Sequence, residues 1–245
     1  MPTAVEERPV PAAVAEPLLS LRAVTKVYGE QRAIVRALDQ IDLDIDAGEF
    51  VAITGPSGSG KSTALSILGC LELPSEGDYR IEGIPVQGLW PDVLAALRNL
   101  RFGFVFQSFN LLARTSALEN VGLPLVYASI GLRERQRRAE AALAAVGLTG
   151  REDARPNQLS GGEQQRVAIA RAIVNEPEVI LADEPTGNLD SNTGGEVMQL
   201  ITQLNRDRGI TVIMVTHDAT WAAYAARQVG FRDGRIVADE RKVAR

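Results

Sequence analysis

Short apolar segments rich in β-branched and aromatic residues most constrain the fold of this chain. Continuous runs of this kind suit strands that are covered on both faces, as in a parallel sheet. Helical patterns separate them, and buried strands alternating with helices predict an α/β domain with a mostly parallel sheet. The runs are residues 50–54, 102–106, 179–182 and 210–215. The helical patterns cover residues 61–72, 133–146, 164–174 and 195–205.

The sequence outside these alternating strands and helices indicates two further strands, a helical insert and an N-terminal tail. Ile41, Leu43 and Ile45 alternate with aspartates, which indicates a strand with one solvent face, and residues 18–28 read as another strand. Residues 108–158 show helical patterning without a strong strand, and we interpret them as a helical subdomain inserted into the α/β body. The Pro/Ala-rich residues 1–17 are expected to form a disordered tail, followed by a single domain over residues 18–245.

Composition excludes several classes of function. A single cysteine, Cys70, excludes a disulfide framework and a Cys-rich zinc site, and a single histidine, His217, excludes a three-histidine metal site. The net charge of −5 argues against bulk attraction to nucleic acid or anionic lipid, so no nucleic-acid partner is expected. The N-terminus lacks the pattern of a signal peptide, and no apolar run is long enough to span a membrane. We therefore expect the chain to remain on the cytoplasmic side.

A glycine-rich segment predicts a phosphate-binding loop. Residues 55–62 read GPSGSGKS and fit the pattern G-x-x-x-x-G-K-[ST] between an apolar strand and a helix. Glycines let successive backbone N–H groups curl around a phosphate, and the helix N-terminus adds a positive dipole end. Lys61 can then reach the terminal phosphates, and the Ser62 hydroxyl can ligate Mg²⁺.

Two other predicted strands end in residues that suit hydrolysis of a phosphate bond. Asp183 and Glu184 follow one strand, and ligands of open α/β sheets bind at such strand ends. Successive strand residues point in opposite directions, so we assign the acids different roles. Asp183 suits Mg²⁺, and Glu184 suits activation of an attacking water. His217 follows the next strand, where we expect it to hydrogen-bond the γ-phosphate.

A second helix start predicts a second anion cradle. Ser160 is a good N-cap, and Gly161 and Gly162 leave backbone N–H groups open at the beginning of a helix. The nucleotide of this chain already has its cradle at residues 55–62. The second cradle therefore suits the nucleotide of another copy, which predicts a head-to-tail dimer with composite sites at its interface.

The segment that carries this cradle, LSGGEQQRVAIARA, resembles the signature of ABC-type ATPase cassettes. The other motifs follow in the family's order, and the resemblance covers about residues 18–240. It implies a P-loop NTPase core with a mostly parallel sheet, an antiparallel β subdomain and an inserted helical subdomain. It also implies hydrolysis of ATP with Mg²⁺ in a dimer that encloses two nucleotides.

The resemblance assigns roles to individual positions. Tyr28 matches the aromatic residue that stacks on adenine, and Gln107 matches the Q-loop glutamine that contacts Mg²⁺ or water and senses the transporter. Asp190 matches the D-loop aspartate that crosses the dimer interface. Glu184, His217 and Gln107 are the expected catalytic residues, with Ser62, Gln107 and Asp183 at the metal. The expected nucleotide-binding residues are Tyr28, Gly55, Ser57, Gly58, Gly60, Lys61, Ser62, Thr63, Ser160, Gly161, Gly162 and Asp190.

Residues 104–112 and 115–121 resemble one group within the family, the cassettes of macrolide-export (MacB) and lipoprotein-release (LolD) type, with the cell-division ATPase FtsE as a relative. This similarity implies a peripheral subunit on the cytoplasmic side of the cell membrane. It would drive export or extrusion through a separate membrane permease. A regulatory ATPase of FtsE type, which controls an envelope process without transport, remains an alternative.

Two other classes share the ATPase motifs. A clamp of the DNA-repair type usually carries a long coiled coil, and the sequence shows no sustained heptads. A translation-factor cassette normally brings two ATPase units in one chain, whereas 245 residues hold one. The sequence therefore favours a partner in the membrane, and it does not name the transported substrate.

Overall fold

Two β-sheets with helices around them organise the chain in the computed structural model, which describes residues 16–29 and 34–242. Most of the predicted tail, residues 1–15, lies outside the described residues. The strands are β1 (Leu19–Tyr28), β2 (Val35–Ile45), β3 (Phe50–Thr54), β4 (Glu76–Ile81), β5 (Ile84–Pro85), β6 (Phe102–Phe106), β7 (Val179–Asp183), β8 (Thr211–Val215), β9 (Arg227–Arg232) and β10 (Arg235–Arg241). The helices are α1 (Lys61–Leu68), α2 (Pro91–Arg101), α3 (Ala117–Tyr127), α4 (Leu132–Ala145), α5 (Gly161–Ile173), α6 (Ser191–Arg208) and α7 (Ala219–Ala222), with a 3-10 turn at Pro156–Gln158.

The larger sheet has the order β10-β9-β3-β8-β7-β6, and its strands from β9 to β6 are parallel. Its central strands are the predicted apolar runs. In β7, Ile180 and Ala182 pack into one hydrophobic cluster, whereas Val179 and Leu181 pack into another. Both faces of this sheet are therefore buried, which is why its strands are continuously apolar rather than alternating. The predicted α/β architecture is confirmed.

The smaller sheet, with the order β2-β1-β4-β5, is antiparallel. Ile41, Leu43 and Ile45 of β2 are buried, and the aspartates between them face outwards, as their alternation predicts. The buried face packs in one cluster with α1 and the larger sheet. Helix α1 is thus held between the two sheets, and this packing fixes the start of α1 relative to the ends of the parallel strands.

Helix capping explains where the observed helices depart from the prediction. α5 begins at Gly161 and α6 at Ser191, earlier than the apolar pattern indicates, because Ser160 and Asp190 cap their first turns. α1 ends at Leu68 instead of continuing to residue 72. Cys70 adopts a φ of 53°, and the backbone amides of the following residues turn back to a carbonyl of α1.

Between β6 and β7 the described chain contains helices and no strand, and α3 and α4 lie within residues 108–158, where an inserted helical subdomain remains a prediction. Val121, Leu125 and Leu143 of α3 and α4 pack with Val167 of α5 in one apolar cluster. The insert is therefore packed on the helix that starts at Gly161. None of the helices in the described parts of the chain combines the length and the apolar character needed to cross a membrane.

Candidate functional site

The glycine-rich loop between β3 and α1 has a backbone that favours glycine. Gly55 has a φ of 146°, and a Cβ there would collide with the carbonyl oxygen of Phe231. Gly60 has a φ of 101°, and a Cβ there would collide with a carbonyl of β2. Gly58 also has a positive φ, but a Cβ at this position would meet no atom within 4 Å. Two of these glycines therefore permit close packing, and the third permits only the backbone turn.

Lys61 lies inside the curve of this loop. Its Nζ donates to the carbonyl oxygens of Gly55, at 2.9 Å, and Pro56, at 2.7 Å. The side chain is buried, and Ser59 Oγ in the same loop is buried without a hydrogen-bond partner among the described residues. A buried ammonium and an unpaired hydroxyl beside a helix N-terminus fit an anionic group of the phosphate type.

Ser62 and Asp183 form the next part of the site. Ser62 Oγ lies 3.4 Å from Asp183 Oδ1, at the end of β7. Burial and, secondly, the charge of Glu184 raise the pKa of Asp183, while the Ser62 hydroxyl and the charge of Lys61 oppose this shift. No cluster of three or more His, Cys, Asp or Glu residues suited to a metal occurs within residues 16–29 and 34–242. A hydroxyl and one carboxylate fit Mg²⁺, which usually takes its other ligands from water and substrate phosphates.

Glu184 pairs with His217. Its Oε1 accepts from the His217 backbone N–H at 3.1 Å and lies 2.7 Å from His217 Nδ1. Since an ionised carboxylate only accepts, Nδ1 is the donor in this contact. The sequence analysis expected strand alternation to point Asp183 and Glu184 in opposite directions. This explanation is wrong, because β7 ends at Asp183 and Glu184 lies outside the strand. Glu184 instead adopts a φ of 47°, and its backbone N–H donates to Val215 of β8.

These groups line one cavity of about 780 Å³ at the carboxyl ends of the parallel strands. The predicted site residues that line this cavity are Ser57, Gly58, Gly60, Lys61, Ser62, Thr63, Asp183, Glu184 and His217. The sequence prediction missed three contributors, which are residues 35–37 at the start of β2, Val215 at the end of β8, and the turn at Asp233 and Gly234. The Gly234 N–H donates to the Ser59 carbonyl at 3.1 Å and so supports the loop. The Asp-Gly pair between two strands was the available signal for this turn.

Tyr28 stands at the end of β1, outside the residues that line this cavity. Its hydroxyl donates to Glu72 Oε2 at 2.7 Å, and Lys26 Nζ lies 5.1 Å from the ring centroid. The Thr63 side chain also reaches the Tyr28 hydroxyl. Desolvation, followed by the bond to Glu72, raises the pKa of Tyr28. The ring is thus held in place beside the start of α1.

Gln107 follows β6 directly and does not line the cavity either. Its backbone carbonyl accepts from Asn188 Nδ2 at 2.9 Å, and its Nε2 lies 3.4 Å from Asn188 Oδ1. Both contacts join it to the segment that follows Glu184 and Pro185. Sequence reasoning did not single out Asn188.

The second predicted cradle lies at the start of α5. Ser160 Oγ accepts from the Glu163 N–H at 3.3 Å, and the Glu163 carboxylate accepts from the Ser160 N–H at 2.9 Å, which completes a capping box. The N–H groups of Gly161 and Gly162 follow this cap. Asp190 caps α6, accepting from two backbone N–H groups at 3.0 and 3.1 Å. Neither segment lines the cavity that contains Lys61.

The site consists of a glycine-rich loop between a parallel strand and a helix, a lysine inside that loop, and carboxylates at the adjacent strand ends. This combination defines a P-loop nucleotide-hydrolysing domain. The sequence profile described as "ABC transporter" matches residues 38–187. The chain therefore belongs to the ABC transporter family, and the described domain is its ATP-binding cassette, an ATPase. The resemblance inferred from the sequence is confirmed.

Individual relatives agree with this assignment. The macrolide export ATP-binding/permease protein MacB of Hyphomonas neptunium is 53% identical over 91% of this chain, and MacB of Sodalis glossinidius is 54% identical over 92%. The chain spans about a third of these relatives, covering 34% of each. A solved dimeric ATP-binding cassette in a post-hydrolysis state with ADP and Pi is 46% identical. It has a TM-score of 0.85 and covers 93% of this chain and 100% of its own.

Proposed function

We propose that this chain hydrolyses ATP as one half of a head-to-tail dimer and that the opening and closing of this dimer drives a membrane permease of MacB-like type. One observation carries the proposal: Lys61, Ser62, Asp183, Glu184 and His217, from three separate sequence segments, line a single cavity. These residues supply the cation, the metal ligands and the base that transfer of a phosphoryl group to water requires.

Each side chain has one task in the proposed reaction. Lys61 neutralises charge on the terminal phosphates, and Ser62 and Asp183 hold Mg²⁺, which withdraws charge from the phosphate oxygens when bound. Glu184 orients a water and accepts its proton as the water oxygen attacks the γ-phosphorus and the bond to the β-phosphate oxygen breaks. His217 donates to Glu184 and so fixes the direction of the carboxylate. Tyr28 provides a ring face for adenine.

The second nucleotide contact comes from another copy of the chain. The capping box at Ser160 orders the first turn of α5, and Gly161 and Gly162 follow it without side chains that would shield their N–H groups. Those groups suit the γ-phosphate held in the partner's loop, with Asp190 near the interface. Two solved cassettes similar to this chain are described as dimeric, which supports the arrangement.

The permease is proposed to contact the side of the domain near Gln107. A groove of about 330 Å³ lies there between β6 and α3, and its lining includes Phe106, Leu123 and Tyr127. Tyr127 is 75% exposed, so an apolar segment of a membrane protein can cover it. The relatives named ATP-binding/permease proteins support this type of partner, and we infer that the cassette contacts it on the cytoplasmic face of the membrane.

Glu184→Gln tests the core of the proposal, because the amide keeps the shape of the side chain but cannot take a proton. We expect hydrolysis to slow by about a hundredfold or more and the variant to accumulate as an ATP-bound dimer in size-exclusion chromatography. Glu140→Gln, on the exposed face of α4, is the matched control and should behave as the wild type. Normal turnover by Glu184→Gln would show that Glu184 is not the base. Absence of ATP hydrolysis by the wild type would overturn the proposal itself.

A second experiment tests the partner. Affinity purification from membranes of the source cells should recover this chain with an integral membrane permease, whose substrate can then be sought. Retention of ribosomes or DNA without any membrane protein would contradict the transport proposal.

A further inference from the structure

The loop after β6 is held to two other parts of the domain. On one side, Asn188 Nδ2 donates to the Gln107 carbonyl at 2.9 Å. On the other, the Arg171 guanidinium of α5 donates to the carbonyls of Phe109, at 2.9 Å, and Asn110, at 2.6 Å. Phe109 has a φ of 58°, a value that an aromatic residue adopts only where its surroundings hold it, and Asn110 follows with a φ of 51°. The backbone of this loop is therefore fixed at both ends.

The packing around Asn188 leaves little freedom to the Gln107 side chain. A Cβ at Gly187 would lie 2.7 Å from Gln107 Nε2 and 3.0 Å from its Cδ, so the absence of a side chain at Gly187 makes room for the glutamine. Asn188 Oδ1 lies 3.4 Å from the same Nε2. Gly187 and Asn188 together form the surface on which the Gln107 amide rests.

The next residue connects the same segment to the second cradle. Leu189 is partly buried against the apolar cluster of α5 and α6. A Cβ at Gly161 would lie 3.3 Å from Leu189 Cδ2. Residues 187–189 therefore contact Gln107 on one side and the start of α5 on the other, within one protomer.

We propose that Asn188 is a positioning residue for Gln107. Its amide N–H sets the place of the Gln107 backbone and thereby the reach of the glutamine side chain towards Mg²⁺ and the attacking water. This inference rests on the proposed function and on the contact with Mg²⁺ or water that the family resemblance implies for Gln107, whereas the anchoring itself is a property of the free protein.

Three variants test the proposal. Asn188→Ala removes both contacts, and Asn188→Asp keeps the acceptor near Gln107 Nε2 but removes the donor to the Gln107 carbonyl. Asn157→Ala is the matched control, since Asn157 is an exposed asparagine in the 3-10 turn and has no side-chain hydrogen bond to the described residues. Thermal unfolding should show that all three variants fold.

Hydrogen–deuterium exchange in the nucleotide-free protein is the first measurement. We expect exchange in residues 106–110 to accelerate about three- to tenfold in Asn188→Ala and Asn188→Asp, as the loss of one hydrogen bond implies, and not in Asn157→Ala. Unchanged exchange in both Asn188 variants would overturn the anchoring. This readout does not depend on hydrolysis, so it separates failure of this inference from failure of the proposed function.

Steady-state kinetics is the second measurement. We expect kcat to fall about three- to tenfold and the half-saturating Mg²⁺ concentration to rise, with the KM for ATP nearly unchanged, because Gln107 acts at the metal and water rather than on the base or ribose. A purely structural defect would instead lower the active fraction and leave the Mg²⁺ dependence unaltered. Wild-type kcat and Mg²⁺ dependence in Asn188→Asp would show that the donated hydrogen bond does not position Gln107.

Discussion

Nδ1 of His217 lies 2.7 Å from Oε1 of Glu184, and the His217 backbone N–H donates to the same oxygen at 3.1 Å. The carboxylate is thus held by two groups of one residue at the end of the neighbouring strand β8. Glu184 is largely shielded, with 18% of its side chain exposed, whereas the imidazole is 72% exposed. This arrangement leaves Nε2 of the imidazole accessible from the cavity while Nδ1 directs the carboxylate.

His217→Ala should lower the rate of ATP hydrolysis by about a hundredfold or more, because the substitution removes the proposed phosphate contact and the contact of Nδ1 with Glu184, leaving only the backbone N–H to hold the carboxylate. Phosphate release at saturating ATP measures this effect, and equilibrium ATP binding should change little. The double variant with Glu184→Gln should be no slower than the slower single variant, since the two residues act as a unit. Additive losses would show that they act independently.

Lys61→Met should weaken ATP binding by about ten- to hundredfold, the loss expected for charge-assisted hydrogen bonds. Lys61→Arg should not restore binding, because the planar guanidinium does not fit between the Gly55 and Pro56 carbonyls that hold Nζ. Isothermal titration calorimetry gives both affinities, with Lys242→Met near the C-terminal end of the described chain as control. If Lys61→Met bound ATP with wild-type affinity, Lys61 would not contribute to ATP binding.

The raised pKa of Asp183 determines how the free energy of unfolding changes with pH. The folded state binds this proton more tightly than the unfolded state, whose group titrates near 3.8. The ionised Asp183 therefore costs stability above its raised pKa, and this cost shrinks as the pH falls through that pKa and is gone below 3.8. Asp183→Asn should therefore be more stable than the wild type at neutral pH without Mg²⁺, and the difference should shrink on acidification. Urea unfolding at several pH values measures it.

Two further measurements complete this test. Mg²⁺ should stabilise the wild type but not Asp183→Asn at neutral pH, and so narrow the difference between them, because the proposed metal site includes the ionised carboxylate of Asp183. Asp207→Asn, at an exposed position of α6, provides the control for loss of one negative charge. A stability difference between the wild type and Asp183→Asn that does not vary with pH would contradict the assigned pKa shift.

Gly55→Ala should destabilise the protein by about 3 kcal/mol, since it adds a methyl group against the Phe231 carbonyl and forces a positive φ on a non-glycine residue. Gly58→Ala carries only the conformational cost of about 1 kcal/mol, because nothing lies within 4 Å of the added atom. Denaturant unfolding of the two variants compares these costs. Equal losses would mean that close packing at Gly55 contributes nothing.

Local sequence signals predicted the parts of the fold that depend on neighbouring residues. The apolar runs became the parallel strands, and the capping residues Ser160 and Asp190 begin α5 and α6. The end of α1 was predicted wrongly, because Cys70 takes a left-handed backbone and is buried against Tyr79 of β4, which no local pattern indicates. β4, β5, β9, β10 and α2 were not predicted individually either.

The sequence by itself determined the class of site, because the phosphate-binding loop, the strand-end acids and the signature helix are each encoded in a few adjacent residues. Only the tertiary structure decided which of them meet. The strand order β3-β8-β7 differs from the order in the chain, and it brings Lys61, Asp183 and His217 to one cavity while Gln107 rests on Asn188. Such long-range pairing depends on the burial of both sheet faces, and this is a property of the whole domain rather than of any single segment.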